Sequence, residues 1–242
     1  MNKKNLNFIR KVIKLSGEAI HKNEMITAND KILVAVSGGK DSLALIDILA
    51  ERRKFIPIHY ELHAIHIITD DVPYEVDLDF LSAFCQQRHV TLHLVRTHAG
   101  IEQRPDKKPC FICSRNRRKE LFDFAIQNGF KKVALGHHLD DAIETLMMNM
   151  VMHANISSIP GKLSMFNGRI ILIRPLILLS NNEMKEYARI KEFVSLKRNC
   201  PYEDHTLRNT TRKWIDKLEK LNPQARINLF KSMRNIDEEY LA

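Results

Sequence analysis

Ser37-Gly38-Gly39-Lys40-Asp41-Ser42 follows the apolar run Ile32-Leu33-Val34-Ala35-Val36 and leads into Leu43-Ala44-Leu45-Ile46-Asp47-Ile48-Leu49. The order reads as a buried strand, a tight glycine-rich turn and a helix. Such a turn presents backbone N–H groups, two hydroxyls and a lysine at a helix N-terminus, where the macrodipole favours anions, so it binds phosphate. A purely structural turn needs one glycine at positive φ and not the whole set. The common phosphate loop has Gly, four residues, then Gly-Lys-Ser/Thr. Here both glycines directly precede Lys40, and an acid follows it.

The hexapeptide resembles the PP-loop of N-type ATP pyrophosphatases. That resemblance implies cleavage of ATP between its α- and β-phosphates, transfer of AMP to a carbonyl oxygen, and release of pyrophosphate.

Outside the loop, apolar periodicity predicts a helix over 4–24, a strand at 32–36, a helix to about Arg53 and a second strand at 62–69. A helix over 74–87, a strand at 91–96, a helix over 113–128 ended by Gly129, a strand at 132–136 and a helix over 140–152 follow. Residues 155–168 read as a loop, 170–173 as a short strand, and 181–193 and 206–236 as helical. Alternating strands and helices argue for an α/β fold, a doubly wound parallel sheet covered on both faces. In such sheets ligands sit beyond the carboxyl ends of the strands. Ser37, Thr69-Asp70-Asp71 and Gly136-His137-His138 fall there. The expected division is an N-terminal helix at 1–28, a nucleotide-binding domain at 29–180 and a C-terminal helical region at 181–242.

The 242 residues are 44% hydrophobic, enough for one well-cored domain. No apolar run is long enough to span a membrane, so no membrane partner is expected. Lys3 to Lys22 is basic and amphipathic in the manner of a transit peptide, but it carries Glu18 and runs straight into the first strand. It reads as the first helix of the fold, with the cytoplasm as the expected location. Lys and Arg total 38 against 29 Asp and Glu, a net +9 that suits a polyanionic partner such as nucleic acid. The cations cluster beside the motifs: Arg115, Arg117, Arg118 and Lys119; Lys131-Lys132; Lys197-Arg198; and Arg208, Arg212 and Lys213. Any one cluster taken alone reads as a solvated surface.

Four cysteines in such a chain point to metal binding or catalysis before disulfides. Cys110-Phe111-Ile112-Cys113 opens a helix, which lowers thiol pKa, and Arg115 and Arg117 add to this. Cys200, in Asn199-Cys200-Pro201-Tyr202, is the candidate third thiolate, while Cys85 beside Phe84 reads as a buried core thiol. Three thiolates allow a structural zinc completed by His205, or an iron–sulfur cluster with one iron lacking a protein ligand. Spacing leaves both open. Gly136-His137-His138-Leu139-Asp140-Asp141 places two acids at a helix start. One acid can simply cap the helix; two facing a phosphate loop fit a magnesium ion bridging ATP phosphates.

With Ser-Gly-Gly-Lys-Asp-Ser, Cys-x-x-Cys-Ser-Arg-x-Arg-Arg and Gly-His-His-x-Asp-Asp in this order, the chain resembles the TtcA family of tRNA 2-thiocytidine synthetases. The resemblance runs from about residue 5 to 235. It implies an adenine nucleotide alpha hydrolase-like fold and a tRNA-thiolating enzyme that adenylates the C2 oxygen of a pyrimidine and replaces it with sulfur. The implied cofactors are ATP, Mg2+ and a 4Fe-4S cluster on Cys110, Cys113 and Cys200. The implied partners are tRNA, a sulfur donor (a cysteine desulfurase or sulfide) and a second copy in a homodimer. It further implies that Ser37, Gly38, Gly39, Lys40 and Ser42 hold phosphates. Ala35, Val36, Thr69 and Gly136 bound the nucleotide, and Lys40, Asp41, Asp141 and Arg117 act in catalysis. Arg115 and Arg118 join Arg117 facing tRNA phosphate or the adenylated intermediate. Around Cys200 the family's further cysteine is missing; Cys200-Pro201-Tyr202, Arg208, Arg212, Leu218-Glu219 and Pro223 are closer to the TtuA-type thiouridine synthetases. Those carry terminal zinc-finger cysteines, absent here, and favour lysine where Arg117 stands. Cytidine at tRNA position 32 is therefore the expected target, with uridine as the alternative.

Two rivals are weaker on residues. A sulfur-independent ligase such as a tRNA-lysidine synthetase needs no cysteine triad. A zinc-stabilised nucleic-acid-binding module needs neither Lys40 nor Asp41 nor Asp141.

Overall fold

The computed structural model describes residues 2–72, 76–103, 106–193 and 207–240. Six strands form one sheet: β1 (Asp30–Ala35), β2 (Tyr60–Thr69), β3 (Thr91–Thr97), β4 (Lys132–Ala134), β5 (Lys162–Met165) and β6 (Ile170–Ile173). The spatial order is β3-β2-β1-β4-β6-β5. All neighbours pair in parallel except β5, which runs antiparallel to β6. The expected doubly wound sheet is present, with β1 at its centre and the order reversing between β1 and β4, where such folds place ligands.

Eight helices accompany it among the described residues: α1 (Lys3–Lys22), α2 (Lys40–Arg52), α3 (Leu78–Gln86), α4 (Pro109–Gln127), α5 (Leu139–His153), α6 (Asn181–Ile190), α7 (Leu207–Leu221) and α8 (Ala225–Ser232). Period-two alternation in the central strands sorts them onto two faces. Ile32, Val34, Leu62 and Ala64 join a core with residues of α1, α2, α3 and α6. Leu33, Ile65, Ile67 and Val133 pack instead on Leu121, Phe122 and Ala125 of α4. α2 is buried from Ser42 to Ala50, so the helix leaving the glycine turn is an internal element with a fixed direction. None of the described helices is long and apolar enough to cross a membrane.

Three expectations change. Residues 155–168 are not all loop: Lys162–Met165 forms β5, joined to β6 through Phe166, Asn167 and Gly168, all at positive φ. The signal was Asn167-Gly168 between two short runs, a hairpin cue outweighed by the polar residues around it. The C-terminal helix is two, because Pro223 follows α7 and cannot continue it. α4 starts at Pro109, not at Cys113, because a proline is well placed in a helix's first turn. Both Cys110 and Cys113 therefore lie inside the helix. Cys200 and His205, and the helix predicted to begin at 74, fall wholly or partly outside the described residues.

Candidate active site

The loop between β1 and α2 is held by its own side chains. The Ser42 hydroxyl donates to the Gly39 carbonyl at 2.8 Å, and the Ser37 N–H donates to the Ser42 hydroxyl at 3.2 Å. Gly38 sits at φ +77°, a conformation that L side chains resist. The N-cap is Gly39, which supplies no side-chain acceptor to the first turn of α2. Lys40 Nζ lies 2.7 and 2.8 Å from the two carboxylate oxygens of Asp41. Behind the loop, buried His66 of β2 has Nδ1 2.8 Å from the Val36 carbonyl. A carbonyl accepts, so Nδ1 carries the proton. Burial lowers the His66 pKa, the Val36 bond opposes this, and the charge of Arg117 adds to the lowering.

The loop after β4 closes on the same place. A Cβ on Gly136 would lie 3.2 Å from the Asp41 carbonyl carbon and oxygen and from the Ser42 nitrogen. Backbone cannot rotate away as a flexible side chain can. Gly136→Ala is expected to cost about 1–3 kcal/mol through overpacking, read as a lower urea midpoint, and to weaken ATP binding by shifting the start of α2. Unchanged ATP affinity would separate Gly136 from the phosphate loop.

A cavity of about 210 Å³ opens between the ends of β1 and β2 and helix α4, lined by Ala35, Val36, Ser37, Ile65, Ile67, Ser114, Arg117, Arg118 and Leu121. Its base is apolar and its rim carries two guanidinium groups. It brings together the expected nucleotide residues Ala35, Val36 and Ser37 with Arg117 and Arg118, expected to face tRNA phosphate or the adenylated intermediate. Thr69 is buried at the end of β2 and is not part of this lining. The sequence reading missed Ile65, Ile67, Ser114 and Leu121 as pocket walls. Ser114, Arg118 and Leu121 fall at i, i+4 and i+7, which marks one helix face.

Cys110, Cys113 and Arg117 fall at i, i+3 and i+7 and share another stripe of α4. Cys110 is exposed and Cys113 half-buried. Both are in or next to the first turn, which holds no acidic residue. Cys85 is a core thiol as expected, its pKa pushed up by burial to about 11. Among the described residues no three His, Cys, Asp or Glu side chains converge on a metal-sized site.

The acids of α5 are heavily engaged. Asp141 Oδ2 accepts the His138 N–H at 2.9 Å, the backbone half of a capping box. Its Oδ1 lies 3.4 Å from Arg208 of α7. Asp140 accepts the Asn181 N–H at 2.7 Å and pairs with Arg226 of α8. Buried Glu144, unnoticed in the sequence, accepts from Arg212 at 2.8 Å and lies 3.5 Å from Arg208. Arg208 and Arg212, grouped above with RNA-facing cations, thus turn toward protein carboxylates. The reason is the fully buried Glu144 side chain, which needs a partner charge.

Arg174, at the end of β6, was also unmarked. Burial lowers its pKa to about 10, nearby Arg118 acts the same way, and Asp141 opposes both. Its Nε lies 3.4 Å from His137 Nδ1. Burial pulls His137 down to about 4; Asp141 opposes this, and Arg174, Arg208 and His138 add to it. His137 is therefore neutral at neutral pH and can accept from Arg174. An arginine followed by proline at a strand end was the available signal.

A glycine-rich turn carrying Lys40 between the central parallel strand and a buried helix defines a PP-loop nucleotide-binding protein. A family model described as a PP-loop domain matches residues 5–219. The tRNA-cytidine(32) 2-sulfurtransferase 1 of Francisella tularensis subsp. novicida is 34% identical over 232 residues, covering 94% of this chain and 86% of the relative. The tRNA-cytidine(32) 2-sulfurtransferase of Pseudomonas putida is 32% identical over 238 residues, covering 96% and 86%. The chain belongs to the PP-loop family and, within it, to the tRNA-cytidine(32) 2-sulfurtransferases. Among solved structures, the U34-tRNA thiolase NcsA from Methanococcus maripaludis, described with its 4Fe-4S cluster, superposes with a TM-score of 0.81. It is 24% identical and covers 98% of this chain and 81% of that one, a likeness of fold.

Proposed function

We propose that this chain is an ATP-dependent tRNA sulfurtransferase that forms 2-thiocytidine. The observation that carries the reading is Arg117. It lines the cavity with Ser37, and it stands on the α4 stripe of Cys110 and Cys113. One side chain thus links the phosphate-loop pocket to the thiol pair.

In this reading the C2 oxygen of the base attacks the α-phosphorus of ATP and pyrophosphate leaves. A sulfur nucleophile then adds at C2, and AMP departs with the oxygen. Ser37, Gly38, Gly39 and Ser42 hold phosphate oxygens, and Lys40 offsets charge on the five-coordinate phosphorus. Ala35, Val36, Ile65, Ile67 and Leu121 give the apolar wall that a purine ring needs. Gly136 borders the phosphate loop through its close approach to Asp41 and Ser42, while Thr69, buried outside the cavity lining, supports the end of β2. Asp41 and Asp141 would hold a magnesium ion, which would offset charge on the ATP phosphates; the Asp141 carboxylate is oriented by the His138 N–H. Arg117 and Arg118 steady the adenylated base.

The thiols fit a 4Fe-4S cluster at two corners: soft ligands on adjacent turns at a helix N-terminus, with no carboxylate in the first turn. Cys200 is assigned as the third. When bound, the cluster supplies sulfur-transfer chemistry; zinc on the same thiols would be structural. The reading includes a cysteine desulfurase or sulfide as donor, a homodimeric enzyme and a cytoplasmic location.

Mass spectrometry of tRNA nucleosides from a strain lacking the gene tests it. Loss of 2-thiocytidine is the expected result. Loss of 2-thiouridine alone moves the activity to the other base, and an unchanged profile overturns thiolation.

A further inference from the structure

A second cavity, of about 260 Å³, lies against α4, lined by Gly100, Lys107, Phe111, Ile112, Arg115, Asn116 and Lys119. It is not part of the adenylation pocket. Phe111, Arg115 and Lys119 fall at i, i+4 and i+8, one stripe around from Ser114, Arg118 and Leu121. Phe111, between the two cysteines, is 58% exposed. Lys107, Arg115 and Lys119 are exposed as well. Lys107 and Lys119 have acidic neighbours, Asp106 at 3.5 Å and Asp123 at 3.0 Å. Those surface pairs are weak and exchangeable. Arg115 makes no ion pair among the described residues.

The wall is built, not incidental. Asp71 accepts the N–H groups of Ala99 and Gly100 at 2.6 and 2.8 Å, and Asn116 donates to the Ala99 carbonyl at 2.5 Å. These bonds pin the chain after β3 to the chain after β2 and, through Asn116, to α4. The cavity is smaller than the roughly 300–1,000 Å³ of drug-sized ligand sites, a scale suited to one planar ring. An exposed aromatic face ringed by cations is the recognition chemistry of single-stranded nucleic acid, in which a base stacks and its phosphate meets the cations. An apolar protein partner would cover the exposed guanidinium of Arg115 without giving it a counter-charge.

We infer that this cavity holds one unpaired nucleotide of the tRNA, a neighbour of the reacting base, with its ring stacked on Phe111 and its phosphate on Arg115 and Lys119. The inference rests on the tRNA reading above. Because Phe111 and the thiols share the first turns of α4, a nucleotide seated there fixes the distance from the RNA to the cysteine site. The target base is selected partly by its neighbour.

The test is equilibrium binding of an unmodified tRNA transcript to the full chain, with ATP affinity and iron content measured in parallel. Phe111→Ala is expected to weaken tRNA binding by roughly 5- to 150-fold, with ATP affinity and iron unchanged, and Phe111→Trp to restore it. Arg115→Gln is expected to lower the slope of log K against log salt by about 0.7, the single-strand value per phosphate contact. Lys131, grouped from the sequence with the cations beside the motifs, instead precedes β4 at the opposite end of the strands, so Lys131→Gln should leave that slope unchanged. An RNA duplex of the same length should not discriminate Phe111→Ala from wild type. Wild-type-like tRNA binding by Phe111→Ala overturns this cavity's role and leaves the tRNA reading intact. Failure of the wild-type protein to bind the transcript removes the tRNA reading itself.

Discussion

Lys40→Ala is expected to lower tRNA-dependent AMP formation by roughly 10²–10³-fold, the range for removing one preorganised group that meets developing charge. The change is local. Lys40 pairs with Asp41 at the protein surface, and the two side chains are 29% and 31% exposed, so no buried charge is left behind. The thermal midpoint should stay near that of wild type, which separates lost chemistry from lost folding. Arginine should not rescue, because its planar fork cannot replace a compact ammonium on a short loop. Quenched-flow measurement of AMP from radiolabelled ATP reads the effect. A wild-type rate in Lys40→Ala would falsify the assignment of the loop to adenylation.

Cys113→Ala is expected to have the opposite profile. Prepared without oxygen, the variant should lack iron and acid-labile sulfide, and thiolation should fall below detection. tRNA-dependent pyrophosphate release should persist. Alanine is the best helix former, so α4 should survive the change. Cys85→Ala is the control, since that thiol lies in the core away from α4 and should leave iron content untouched. Cys200→Ala, measured in the same way, tests the third ligand. Iron retained in Cys113→Ala removes that residue from the set, and a colourless wild type with stoichiometric zinc removes the cluster.

The two halves of the reaction were unequally legible. The β1–loop–α2 unit was plain because its constraints are local: an apolar run, a positive-φ glycine and a helix fall within about twenty consecutive residues. The thiol pair was plain for the same reason. Ile65 and Ile67 were not, because a pocket wall and a core strand use the same residue types and differ only in what α4 leaves uncovered. The ties from α5 to Arg208 and Arg212 join residues 67 and 68 positions apart. Periodicity does not report such pairs, and surface-like arginines gave no hint of them. β5 was hidden by brevity: four residues, Lys162 to Met165, with only Leu163 and Met165 apolar. The stretch around Cys200, the proposed third ligand, lies outside the described residues.

Glu144 has a consequence for how such proteins can be recombined. Its side chain is fully buried on α5, yet its counter-charges arrive from α7. Cutting the chain before residue 207 would strand that carboxylate, and breaking a buried pair costs about 3–5 kcal/mol. The terminal helices are therefore not an interchangeable attachment. A chimera that imports them from a relative must import a matching α5, and divergence in one should be answered by divergence in the other.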